Sequence, residues 1–142
     1  MTGNRPPLTP GLPPSGPIPR RVLLVDDQRE ARRAIALYLR FQGFDVIEAG
    51  DGQSALNEVA ASTPFDYALL DVSLPDIDGR EVAVQLRQAS PEIWIALVTG
   101  WSLDPDEDLP VEIDGVFVKP VSLPDLSRIL ASGPKPGANR AH

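Results

Sequence analysis

The chain has 142 residues, of which 42% are hydrophobic and none is cysteine, so it can bury the core of one domain but cannot form disulfides. No apolar run approaches the about 18 residues that a membrane-spanning helix needs, and the lack of cysteine fits a cytoplasmic protein. The net charge is −7 overall and −12 within residues 22–132, which disfavours binding to nucleic acid or to an anionic membrane.

Both ends of the chain have the composition of tails. Residues 1–19 contain seven prolines separated mainly by glycine and small polar residues, which is typical of a flexible or polyproline II segment. Docking to a proline-recognition module is an alternative to a solvated leader. Residues 133–142 predict a second disordered tail. We therefore expect the folded domain at residues 20–132.

Five short apolar runs between the tails predict β-strands, because their length and β-branching are typical of buried strands. Amphipathic stretches at helical spacing lie between them. The last of these has Ser122 three residues before Asp125, a capping signal, and stops at Gly133. This alternation predicts an α/β fold with a parallel sheet covered by helices on both faces. The five runs are residues 21–25, 45–49, 67–71, 94–98 and 115–119.

Polar side chains stand at the ends of four of the five predicted strands. Asp26 and Asp27 follow the first run, Asp71 closes the third, Thr99 follows the fourth and Lys119 closes the fifth. The carboxyl ends of parallel strands meet at one edge of a sheet, where α/β proteins bind their ligands. We therefore expect these side chains to lie together.

Each of these residues also has a simpler interpretation. Asp27 is placed to cap the first helix, with Glu30 completing a capping box. Asp71 is compatible with a residue that opens the following loop, and Thr99 with an ordinary β-forming residue at a strand end. Lys119 is compatible with a solvated position at the sheet edge. The capping interpretation explains one aspartate, however, and the sequence has a second one beside it.

The full set of residues suits the chemistry of phosphoryl transfer. Three neighbouring carboxylates would raise each other's pKa values, and a divalent cation would relieve their repulsion. Ligation by a few oxygen atoms is what Mg²⁺ prefers. Lys119, the only lysine between the tails, is a compact charge that suits one anionic oxygen. With the Thr99 hydroxyl, such a site can stabilise a phosphoryl group in transfer to Asp71 as nucleophile, which would form an acyl phosphate.

Four motifs stand in order along the chain, VDD at 25–27, LLDVSLPDIDG at 69–79, VTG at 98–100 and VKP at 118–120. In this order and spacing, they resemble the receiver domain of two-component response regulators over residues 20–131. Pro75 and Gly79 also follow Asp71 at the spacing usual in that family. The resemblance implies a flavodoxin-like sheet with strand order 2-1-3-4-5. It also implies transfer of phosphate from a histidine kinase or a histidine phosphotransfer protein.

The resemblance implies a role for each matched residue. Asp71 would be the phosphoacceptor, and Thr99 would be the hydroxyl that moves to meet the phosphoryl group. Lys119 would pair with a phosphoryl oxygen, and the Lys119–Pro120 peptide bond would be cis. Side-chain carboxylates and one backbone carbonyl would hold Mg²⁺, directly or through water. These metal ligands would be Asp26, Asp27, Asp71 and, through its carbonyl, Ser73.

Two features depart from the family's pattern. An aromatic switch residue usually stands three positions before the lysine, where this chain has Val116; Phe117 follows one position later, on the opposite face of a strand. The segment 102–113, where the fourth helix belongs, contains Pro105 and Pro110. Because a proline inside a helix costs about 3 kcal/mol, this helix is expected to be short or missing. The usual output surface is therefore less well matched than the phosphorylation site.

The favoured interpretation is a stand-alone phosphoacceptor switch that signals by contact with another protein and has no enzymatic activity beyond its own phosphorylation and dephosphorylation. A phosphate sink or relay without its own output is the alternative within signalling. An aspartyl-phosphate phosphatase of the haloacid dehalogenase type needs a second aspartate where this chain has Ser73. A flavodoxin-like module for an anionic cofactor such as FMN is disfavoured by the acidic pocket.

Overall fold

The computed structural model of the chain describes residues 19–61, 64–100 and 112–136. In these ranges, five parallel strands form one sheet with the order β2-β1-β3-β4-β5, which confirms the predicted α/β fold and strand order. The strands are β1 (Arg21–Val25), β2 (Asp45–Ala49), β3 (Tyr67–Asp71), β4 (Trp94–Thr99) and β5 (Gly115–Val118). The helices are α1 (Arg29–Phe41), α2 (Gly52–Ala61), α3 (Gly79–Ala89) and α4 (Leu123–Ala131).

Some sequence-based expectations fall outside the described residues. Most of the two predicted tails does so, and the segment 102–113, expected to lack a full helix, is described only from residue 112 onward. The disorder of the tails and the short or missing fourth helix of the family pattern therefore stay predictions. Within the described ranges, no helix combines the length and the apolar character that crossing a membrane requires.

The central strands β1, β3 and β4 are buried on both faces, which explains why they appear in the sequence as continuous apolar runs. Alternate side chains of each strand point to opposite faces. Leu23 packs in the core beneath α2 and α3, whereas Leu24 packs in the core beneath α1 and α4. Each fully buried leucine of these cores contributes about 1.5–3 kcal/mol of transfer free energy.

The last helix begins and ends where its local signals predict. The Ser122 side chain caps α4 by accepting a hydrogen bond from the Asp125 backbone N–H at 3.3 Å. Two residues past the end of the helix, Gly133 has a φ of 73°, a left-handed conformation that favours glycine. The strand ends differ slightly from the prediction, since β4 extends to Thr99 and β5 ends at Val118.

A cluster of charges joins α1 to the edge strand β2. The Glu48 carboxylate contacts the guanidinium groups of Arg32 at 3.0 Å, Arg33 at 2.8 Å and Arg40 at 3.1 Å. Only 12% of the Glu48 side chain is exposed. Burial by itself would raise the pKa of Glu48, but the three arginines outweigh burial and lower it. The ionised carboxylate therefore holds the helix against the sheet edge.

Replacing this carboxylate tests its contribution to stability. Glu48→Gln should lower the free energy of unfolding by about 1–3 kcal/mol at neutral pH, because three arginines lose a charged acceptor. Since the folded-state pKa is lowered, this contribution is present above the unfolded-state pKa and is lost as the pH falls through the folded-state pKa. Urea unfolding of the two proteins should therefore give stabilities that converge in acid.

The control is Glu92→Gln, which removes the same charge from an exposed residue. It should leave the free energy of unfolding nearly unchanged, because an exposed charge contributes little. An equal loss of stability in both variants would show that net charge, and not the arginine cluster, is responsible.

Candidate functional site

The carboxyl ends of four strands bring polar residues to one edge of the sheet. Asp26 follows β1, Asp71 closes β3, Thr99 closes β4 and Lys119 follows β5. Asp26, Asp71 and Thr99 are at most 6% exposed, whereas Asp27 is exposed. The Lys119 backbone N–H donates to the Thr99 carbonyl at 2.7 Å, which continues the pairing of β4 and β5 into the site.

Three carboxylates form the centre of this edge. One oxygen atom each of Asp26, Asp27 and Asp71 lies within 4.8 Å of the other two. Hard divalent cations prefer such oxygen donors, and one cation can contact all three from between them. The predicted acidic cluster is therefore assembled, and its donor atoms fit a metal ion.

Asp27 does not cap the start of α1. The N-cap position belongs to Gln28, whose side chain makes no capping hydrogen bond. The Gln28 backbone N–H instead donates to Asp26 Oδ1 at 2.9 Å. The interpretation of Asp27 as the cap is therefore wrong, because the chain stays extended through Gln28 and the helix starts one residue later. The Asp27 carboxylate lies close to those of Asp26 and Asp71.

Lys119 lies between two of the carboxylates. Its Nζ atom is 3.4 Å from Asp26 Oδ2 and 3.3 Å from Asp71 Oδ2. Burial by itself would lower the pKa of Lys119, but the two carboxylates outweigh burial and raise it. The ammonium group therefore stays charged and is the counter-ion of the acidic edge, not a solvated edge residue. The following Lys119–Pro120 peptide bond is cis, as the resemblance implied.

The electrostatic environment of Asp71 favours an added positive charge. Burial raises the pKa of Asp71, and the neighbouring charge of Asp26 raises it further. The Ser73 backbone N–H, which donates to Asp71 Oδ1 at 3.0 Å, and Lys119 oppose this rise without cancelling it. A cation at the three carboxylates would stabilise the ionised form of Asp71 that a nucleophile requires.

The loop between β3 and α3 folds back closely on Asp71. The Gly79 backbone N–H donates to the Val72 carbonyl at 3.0 Å, and the Asp78 side chain caps α3 by accepting from the Arg80 backbone N–H at 2.8 Å. A Cβ atom on Gly79 would lie only 2.2 Å from the Asp71 carbonyl oxygen. Glycine is therefore needed at this position for steric reasons.

The β3–α3 loop also contacts the start of α2, which was not predicted from the sequence. The Asp76 carboxylate accepts hydrogen bonds from the backbone N–H groups of Gly52 at 2.8 Å and Gln53 at 2.9 Å, the first two residues of α2. These bonds lower the pKa of Asp76. The motif LPDIDG contains this aspartate, but no local pattern shows that the start of α2 lies opposite it.

Comparison with known proteins identifies the family. The profile described as the response regulator receiver domain matches residues 22–131. The chain belongs to the receiver domain family. The response regulator receiver protein CpdR of Brucella abortus is 33% identical to it over 110 residues, which make up 75% of this chain and 90% of CpdR.

Other relatives of this receiver domain are longer or have been solved with ligands. Response regulator MprA of Mycolicibacterium vanbaalenii is 40% identical over 82 residues, 58% of this chain. The match covers 35% of MprA, so this chain aligns with about a third of that relative. TrrA of Thermotoga maritima, crystallised in complex with Mg(2+)-BeF, superimposes with a TM-score of 0.72 at 26% identity, over 80% of this chain and 97% of TrrA.

Phe117, the aromatic residue of β5, lies on the opposite sheet face from Val116, which occupies the usual aromatic position of receiver domains. Val116 packs toward α2 and α3, whereas Phe117 belongs to the core beneath α1 and α4. The Phe117 ring meets Trp94 edge-on, with ring centroids 6.4 Å apart. The offset read from the sequence therefore places the aromatic side chain on the opposite face of the sheet, as expected from the alternation of side chains along a strand.

Gly79→Ala tests how closely the loop approaches Asp71. The added methyl group would overlap backbone that cannot move freely, so we expect a loss of about 1–3 kcal/mol in the free energy of unfolding. Gly100→Ala is the control, because a Cβ atom there meets none of the described residues within 4 Å. Urea unfolding of both variants measures the difference, and equal stabilities would contradict the steric argument.

Proposed function

We propose that residues 20–132 form a receiver domain that accepts a phosphoryl group on Asp71 in a Mg²⁺-dependent reaction. The donor would be a histidine kinase or a histidine phosphotransfer protein, and the phosphorylated domain would signal by contact with a further protein in the cytoplasm. The observation that carries this proposal is the convergence of three carboxylates and one lysine on the same sheet edge.

The proposed metal ligands are all oxygen atoms. Asp26, Asp27 and Asp71 offer carboxylates within reach of one ion, and the backbone carbonyl of Ser73 is the fourth protein donor that the family's pattern implies. The complex of the relative TrrA with Mg(2+)-BeF supports this choice of ion. Bound Mg²⁺ would neutralise the acidic edge and draw negative charge from the phosphoryl oxygens.

Asp71, Lys119 and Thr99 would each have a separate role in the transfer. An Asp71 carboxylate oxygen attacks phosphorus, a phosphorus–oxygen bond forms, and the phosphorus–nitrogen bond to the donor histidine breaks. Lys119, already charged and 3.3 Å from Asp71, pairs with a phosphoryl oxygen. Thr99 offers its hydroxyl from the end of the neighbouring strand β4. Each group stabilises charge that moves onto the transferred group.

The alternatives differ in the step after phosphorylation. A sink or relay would use the same residues and pass the group on without a partner for output. A phosphatase of the haloacid dehalogenase type lacks its second acid, since position 73 is serine and its backbone N–H donates to Asp71. With a charge of −12 over residues 22–132, nucleic acid and membranes are not proposed as partners.

Asp71→Asn tests the phosphoacceptor. Incubation of the wild-type domain with acetyl phosphate and Mg²⁺ should add the mass of one phosphoryl group, and chelation of the metal should prevent it. Asp71→Asn should not be labelled, because an amide is a poor nucleophile, whereas Asp45→Asn should be labelled like the wild type because that carboxylate lies at the start of β2. Labelling that survives Asp71→Asn would overturn the assignment.

Lys119→Met tests the balance of charge. The lysine and Mg²⁺ compete for the same carboxylates, so its removal should tighten Mg²⁺ binding by about tenfold, while phosphorylation at saturating Mg²⁺ becomes slower. Arg128→Met, which removes an exposed cation from α4, should change neither quantity. Calorimetric titration and mass spectrometry provide the readouts. Weaker Mg²⁺ binding in Lys119→Met would contradict the proposed competition.

A further inference from the structure

The contact between the β3–α3 loop and the first turn of α2 links two elements outside the acidic cluster. Asp76 lies in the middle of this loop, and its two carboxylate oxygens bind the Gly52 and Gln53 backbone N–H groups at 2.8 Å and 2.9 Å. Its Oδ1 atom also accepts from the Ile77 backbone N–H at 2.9 Å. One side chain thus joins the loop to a helix that comes before β3 in the chain.

The helix side of this contact is closely packed. A Cβ atom on Gly52 would lie 2.9 Å from Val82 Cγ2 and 3.1 Å from Ile77 Cβ. The start of α2 therefore fits directly against the loop and α3, with no room for a larger residue at its first position. The hydrogen bonds of Asp76, which is itself exposed, therefore link the loop to a closely packed helix start.

The same loop leads from the phosphoacceptor to α3 and contains Ser73. At its beginning, the Ser73 backbone N–H donates to Asp71 Oδ1 at 3.0 Å, and at its end the Gly79 backbone N–H donates to the Val72 carbonyl at 3.0 Å. Asp76 holds the part between these two attachments. Two of these hydrogen bonds hold the Val72–Ser73 peptide, and the Ser73 carbonyl, which belongs to the next peptide unit, lies between them and the Asp76 contact with α2.

We propose that Asp76 is a positioning residue that holds the Ser73 carbonyl in place for divalent-metal binding. This inference rests on the proposed function, which assigns that carbonyl to the metal. Asp76 does not contact the ion itself and acts through the loop backbone. Residues that orient metal ligands typically change metal affinity by about 10- to 100-fold when they are replaced.

A purely structural role is the competing explanation, because a carboxylate at a helix N-terminus stabilises the helix. The chain offers a matched control for that effect. Asp51 also serves the start of α2, since its Oδ1 atom accepts from the Ser54 backbone N–H at 2.7 Å. Asp51 precedes α2 in the chain and does not belong to the β3–α3 loop. Replacing it should weaken the helix while the Asp76 contacts of the loop stay in place.

The experiment compares the wild-type chain with Asp76→Ala, Asp76→Asn and Asp51→Ala. Calorimetric titration gives the Mg²⁺ dissociation constant, and urea unfolding gives the stability of each protein. Asp76→Ala should raise the dissociation constant about tenfold, and Asp76→Asn, which keeps one acceptor oxygen, should raise it less. Asp51→Ala should lower stability and leave the dissociation constant unchanged. The Mg²⁺ concentration for half-maximal phosphorylation by acetyl phosphate should rise in the same order.

The outcomes separate this inference from the proposed function. A wild-type chain that binds no Mg²⁺ would overturn both. Mg²⁺ binding by the wild type with the same dissociation constant in the Asp76 variants would overturn the positioning role alone. An equal rise in Asp51→Ala and Asp76→Ala would also overturn it, because helix stability would then account for the effect. If Asp76→Ala does not fold, the comparison of Asp76→Asn with Asp51→Ala decides in the same way.

Discussion

Three negative charges meet at one sheet edge, and the arrangement of the site follows from the need to balance them. The carboxylates of Asp26, Asp27 and Asp71 come from the ends of the adjacent strands β1 and β3. The balancing cation comes from β5, two strands away from β3, a span of about 10 Å. A long side chain such as Lys119 can cross the end of β4, whereas a short one cannot. The strand order thus determines which residue types suit each strand end.

Much of this arrangement was predictable because it depends on short-range patterns. Buried strands require apolar runs, and the sequence has five of them at the positions where strands form. Parallel strands also align their carboxyl ends, so the residues after each run had to approach one another. The one-residue offset of Phe117 followed from the alternation of side chains along a strand. These inferences need only the order of the elements and not their detailed packing.

The contacts that the sequence did not reveal are those that depend on packing between distant segments. Asp27 looked like a helix cap because the pattern fits, but the backbone stays extended through Gln28 and moves the helix start. Asp76 carried no separate prediction, because its partners belong to a helix more than 20 positions earlier. The partners of Asp76 depend on the packing of α2 against α3 and the loop before it, which no single segment of the sequence contains.

The arginine cluster on Glu48 bears on whether the edge strand β2 can pair with a strand of another chain. β2 is an edge strand, and an open edge presents backbone groups to which a strand of another chain can add. Arg40 donates to the Val46 carbonyl of β2 at 2.7 Å while it also binds Glu48. An arginine of α1 therefore occupies one backbone acceptor of this edge strand. Because Arg40 also pairs with Glu48, the contact that holds α1 on the sheet leaves one backbone acceptor fewer for a strand of another chain.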